Sequence, residues 1–119
     1  MTEYLLYFNQ QWVGDHPEEW FAGRGPLAMA VTQEMKDAGV YVFAGGLEED
    51  PQLAFAADPT SGTTVVTDGP YVETKEFLGG FAIVDVPDDE TAKHWATRIS
   101  EACGWPHEVR RFKPQPKQP

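Results

Sequence analysis

The first stretch of the chain, Glu3-Tyr4-Leu5-Leu6-Tyr7-Phe8, is apolar on both alternation sets, Leu5 and Tyr7 on one and Tyr4, Leu6 and Phe8 on the other. A strand with that pattern is covered on both faces. A polar loop over 9–16 follows, and Pro17-Glu18-Glu19 opens a helix, with proline in the first turn and acids at the positive end of the helix dipole. Asp15 or His16 is the expected cap. Gly23-Arg24-Gly25-Pro26 interrupts the pattern, so the spacing predicts a short helical piece over 17–22 and a longer one over 26–38. Leu27, Val31 and Met35 form its expected buried stripe, and Gly39 ends it. Residues 40–44 read as a second two-sided strand, broken by Gly45-Gly46.

Further along, 53–57 and 63–67 alternate weakly around Asp58-Pro59-Thr60-Ser61-Gly62, which predicts a hairpin with a five-residue turn. Residues 77–86 carry the strongest strand pattern. Their Gly79-Gly80 pair has no side chain to pack, which predicts a bulge or a close approach by another backbone or a ligand. Asp88 or Asp89 caps a second helix with Ala92, Trp95, Ala96, Ile99, Ala102 and Cys103 on its apolar side; Gly104 and Pro106 stop it, and 107–112 form a last short strand.

The order βαβ, hairpin, βαβ is that of an α+β domain, a ferredoxin-like βαββαβ fold with an inserted hairpin and an antiparallel sheet. Two helices cover one sheet face. The other face is also apolar and has no third layer within one copy, so a homodimer packed through the sheet face is expected.

Composition narrows the partners. The chain has 119 residues and 19 acids against 9 bases, a net charge of -10, which repels phosphate backbones and argues against nucleic acid. Arg110, Arg111, Lys113 and Lys117 lie near a proline-broken end, expected to be a flexible tail over 114–119 behind a single domain over 1–113. Cys103 is the only cysteine, no run approaches a membrane span and no signal-like segment opens the chain, so a cytoplasmic protein without disulfides is expected. His16, His94 and His107 show no metal spacing, and no dinucleotide fingerprint is present; neither metal nor cofactor is expected.

The densest chemistry is Thr67-Asp68-Gly69-Pro70-Tyr71-Val72-Glu73-Thr74-Lys75-Glu76, a turn that places four ionisable groups ahead of an apolar strand. Asp68 and Glu73 are the candidate acid and base, since neighbouring charges of opposite sign push carboxylate pKa values apart. Lys75 and Arg24 would orient an anionic group, with Glu76, Tyr7 and Tyr71 as further ligand contacts. The plainer alternative is a capped turn with solvated surface pairs. His107, at the start of the last strand, is placed to approach the mouth of a barrel, and Tyr7, Trp20 and Phe21 suit core or pocket lining.

That same segment, continued by Leu78-Gly79-Gly80-Phe81, resembles the DGPF motif of the YCII-related protein family, with Tyr71 where the family often has Phe. The likeness extends from the Tyr4-Leu5-Leu6 strand through Ala38-Gly39-Val40 to Glu108-Val109-Arg110. The resemblance implies a dimeric α/β-barrel of ferredoxin-like protomers. Related members with a His and Asp pair are thought to be small-molecule enzymes such as dehydrochlorinases, the His lying on the first helix; this chain has no His between Pro17 and Gly39, so that dyad is missing. Relatives with the motif are often encoded near extracytoplasmic-function sigma factors. The expected function is therefore binding or acid/base transformation of a small, anionic or aromatic molecule in a cleft beside the 68–76 loop. The alternative is a non-enzymatic regulatory or interaction protein, and whether the chain is an enzyme stays open.

Overall fold

A computed structural model describes residues 1–116. Its central layer is a four-stranded antiparallel sheet of β1 (Thr2–Asn9), β2 (Tyr41–Gly46), β5 (Leu78–Val86) and β6 (Glu108–Arg111), in the order β2-β5-β1-β6. Helices α1 (Glu18–Asp37) and α2 (Asp89–Cys103) lie together on one face. A two-stranded ribbon, β3 (Phe55–Asp58) with β4 (Val65–Asp68), stands apart from that sheet between β2 and β5. This is the expected α+β, ferredoxin-like arrangement with an inserted hairpin. The last residues of the expected tail, 117–119, lie outside the described residues.

Register decides which side of each two-sided strand meets the helices. Tyr4, Leu6 and Phe8 lie opposite Val84, Ala82 and Gly80 on β5, and Tyr4, Leu6, Ala82, Val84 and Val86 are buried with Val31 and Met35 of α1 and Ala92, Trp95, Ile99 and Ala102 of α2. Leu5, Tyr7, Phe81 and Ile83 therefore face the other way, where Phe43 of β2 joins them with its ring 6.0 Å from that of Phe81. No second layer of this chain covers that face among the described residues.

Several local expectations need correction. The two helical pieces are one helix, with Pro26 inside it. Pro26 removes a single hydrogen bond, to a carbonyl of exposed Ala22, and its φ suits a helix. The segment ahead of it is held by Trp20, which lies so close over Gly104 that a Cβ there would stand 2.8 Å from the indole. Neither Asp15 nor His16 caps the helix. Pro17 takes the cap position without a side-chain hydrogen bond, and His16 stacks on Trp20 at 3.7 Å. Leu27 is not in the stripe; it is 48% exposed, and Ala28 takes its place beside Val31 and Met35. Steps of four residues drift around the helix, so Leu27 and Met35 differ by about 80°.

Gly45-Gly46 does not break β2, because both glycines pair with β5, opposite Phe81 and Gly80. The ribbon strands sit one or two residues later than expected, Leu53 belonging to a 3-10 turn and Asp68 to β4. Other readings hold. Gly39 and Gly104 close the helices at φ of +74° and +94°, and Asp88 caps α2 by accepting from the Thr91 N–H at 2.8 Å. The Gly79-Gly80 pair coincides with a register shift opposite Phe8 and Asn9, and a Cβ on Gly79 or Gly80 would meet the Phe8 ring at 2.7 or 2.9 Å.

Candidate functional site

The close approach at Gly79 and Gly80 leaves room for the Phe8 ring at the end of the sheet, and a cavity opens beside it. This cavity, of about 460 Å³, lies between α1, the end of α2 and the helix-covered sheet face. Phe8, Ala44 and Ala82 give the sheet wall; Phe21, Ala28 and Met29 give the α1 wall; Ile99, Cys103 and Trp105 close it from α2 and the turn beyond. That volume falls in the ordinary range for small-ligand pockets. Aromatic rings shape it: Phe8 meets Trp105 edge-on at 5.1 Å, and Trp105 lies 6.2 Å from Trp20 and 6.5 Å from Phe21.

Few polar groups reach this lining. Arg24 lies over the Trp20 ring at 4.8 Å and donates one long hydrogen bond, 3.4 Å, to the Glu101 carbonyl, leaving most of its N–H groups unbonded within the described residues. His107 sits 5.2 Å from Phe8, with Nδ1 3.1 Å from the Trp105 carbonyl oxygen. A carbonyl only accepts, so Nδ1 carries the proton and Nε2 of the neutral ring is an acceptor. Burial pushes the His107 pKa below the usual histidine value, outweighing the opposing hydrogen bond to Trp105, and so favours that neutral form. The Thr32 hydroxyl donates back to the Met29 carbonyl at 2.8 Å. Burial also pushes the Cys103 thiol up to about 11, which keeps it protonated and unreactive at neutral pH. One buried side-chain donor lacks a partner among the described residues, the Trp105 indole N–H.

Of the seven residues expected as catalytic groups or ligand contacts only Arg24 lines the cavity, joined there by Phe21, read as core or pocket lining, and by His107, read as approaching the barrel mouth. Asp68 is exposed at the end of β4, and Gly69 turns the chain at φ +86° with its N–H bonded to the Ala54 carbonyl at 2.6 Å. Glu73 meets only the Gln52 amide, at 3.5 Å, and Glu76 accepts from the Trp12 indole at 3.0 Å. Lys75 and Tyr71 are exposed. Tyr7 is on the opposite sheet face, 5.9 Å from Trp12, its hydroxyl pKa raised by burial and then by Glu108. The charged loop and Arg24 thus form no common cluster. Phe8, Met29 and Trp105 were not singled out as site residues, and His107 was given no more weight than the other histidines. The available signal was Trp105-Pro106-His107 directly after a helix-ending glycine, together with a glycine pair opposite an aromatic strand end.

Among the described residues no cluster of three or more His, Cys, Asp or Glu is placed to hold a metal, and no helix is long and apolar enough to cross a membrane. Residues 14–111 match the model of the YCII-related domain. No curated protein matches the chain.

Proposed function

Given that the chain belongs to the YCII-related family, whose domain spans residues 14–111, we propose that it binds a small aromatic molecule bearing an anionic group in the cavity under α1. One observation carries this reading: an aromatic-walled cavity with a single cation, Arg24, at its lining. Apolar walls supply affinity by excluding water, and the guanidinium, with donors to spare, takes a carboxylate with geometric preference. The cleft beside the 68–76 loop is the weaker site, because Asp68, Glu73, Lys75 and Glu76 are solvated there.

Calorimetric titration with benzoate and its neutral amide tests the reading. Benzoate is expected to bind more tightly, with Arg24→Ala removing about tenfold of that preference, the order of one charge-assisted hydrogen bond. Absence of binding by any aromatic carboxylate overturns it.

The family reading also includes a homodimer, supported by the apolar sheet face of Leu5, Tyr7, Phe43, Phe81 and Ile83, which no second layer covers among the described residues. A two-fold axis lets one such surface cover its own copy.

A further inference from the structure

Resting on that reading of the cavity, we infer that its ligand carries, besides the anionic group, a hydrogen-bond donor on the aromatic ring, an amino or hydroxyl group, matched to Nε2 of His107. The hydrogen-bonding capacity of the lining leads there. Arg24 only donates, so it selects an anion or other acceptor. Cys103 stays a thiol and the Thr32 proton is taken by the Met29 carbonyl. His107, its Nδ1 proton fixed on the Trp105 carbonyl, presents Nε2 as the one strong nitrogen acceptor of the wall, and no hydrogen bond to it occurs among the described residues. A ligand that is apolar at this point dries Nε2 without replacing its water. A ring donor replaces that water with a direct bond. Sites built to hydrogen-bond a substrate OH or NH discriminate strongly against analogues lacking it.

Few charges act on His107. Arg24 of α1 is the charged group in the lining, and Cys103 of α2 is neutral. Glu108, next in β6, pairs with Tyr7 and belongs to the opposite sheet face. The preference for a donor therefore follows the protonation of His107 itself. It is present while Nε2 is bare, and it is lost as the pH falls through the lowered histidine pKa and Nε2 becomes a donor.

Calorimetry with benzoate and the three positional isomers each of aminobenzoate and hydroxybenzoate provides the test, using the wild-type chain and His107→Phe, which keeps a ring but has no acceptor. At about pH 7 at least one isomer is expected to bind wild type about tenfold more tightly than benzoate, the value of one well-made hydrogen bond. In His107→Phe that ratio should fall to within about twofold while benzoate itself still binds, and in wild type it should shrink as the pH falls through the lowered His107 pKa. Equal binding of all isomers and benzoate overturns the inference and leaves the cavity reading standing, as does a preference that survives in His107→Phe. If that variant does not fold, a wild-type preference that persists after His107 has become protonated, followed by its imidazole NMR signals, overturns it equally. Failure of benzoate and every isomer to bind removes the cavity reading and this inference together.

Discussion

Single residues set the shape of the site through what they lack. At Gly80 a Cβ would stand 2.9 Å from the Phe8 ring and 3.1 Å from the Gly45 carbonyl, so Gly80→Ala must displace a ring that lines the cavity. The expected cost is about 1–3 kcal/mol, the usual range for overpacking, read as a lower urea midpoint, with weaker binding of aromatic carboxylates. Asp88 gives a pH-dependent counterpart. Its pKa is lowered first by the Thr91 hydroxyl and then by the Thr91 N–H. A lowered carboxylate pKa contributes stability that is present above the unfolded value and is lost as the pH falls through the folded one. Asp88→Ala should therefore melt a few degrees below wild type at neutral pH, with the gap narrowing in strong acid; a gap independent of pH in thermal melts contradicts the assignment.

Among the elements, α1 is where tertiary contacts override local preference. Gly23, Gly25 and Pro26 all oppose a helix interior, yet the helix runs unbroken from Glu18 to Asp37. Trp20 over Gly104 secures one half, and Val31 with Met35 in the core secures the other. Pro26→Ala restores a donor in the exposed middle and should stabilise the chain by about 1–3 kcal/mol, seen as a raised denaturation midpoint without loss of helical circular dichroism. The β3–β4 ribbon is the opposite case. It pairs only with itself and leaves Phe55 77% and Val66 67% exposed, so its strands follow local turn chemistry at Asp58, whose carboxylate accepts from Thr60.

The whole molecule is flat and open. Its extents are 49 × 47 × 18 Å and its radius of gyration is 16.7 Å, against about 13.5 Å for a compact chain of this length. One layer of helices on one face of a sheet accounts for the thinness, and the ribbon adds to the breadth. Leu5, Tyr7, Phe43, Phe81 and Ile83 together present the kind of apolar face that a monomer rarely keeps in water. Light scattering at micromolar concentration should give twice the 13.3 kDa chain mass, and Ile83→Asp should shift the population toward monomer. A well-folded wild-type monomer contradicts the dimer.

Strand identity, the two caps by glycine, a helix cap at Asp88 or Asp89 and the ferredoxin-like order were all determined by the sequence, because each rests on nearest neighbours or on a short period. The glycine pair at 79 and 80 was legible in the same way: a missing side chain in a strong strand marks a close approach, although only the register shows that Phe8 makes it. Which face of the first strand meets the helices was not legible, since Leu5 and Tyr7 are as apolar as Tyr4, Leu6 and Phe8 and only pairing with β5 and packing against α1 and α2 separates them. The cavity was the least legible feature. Charge density drew attention to Asp68, Glu73, Lys75 and Glu76, which the fold leaves in solvent. Phe8, Arg24 and His107, dispersed along the chain, meet because the end of α2 returns the chain to the edge of β1, and a hollow is a property of how elements fail to fill space between them, which no local pattern encodes.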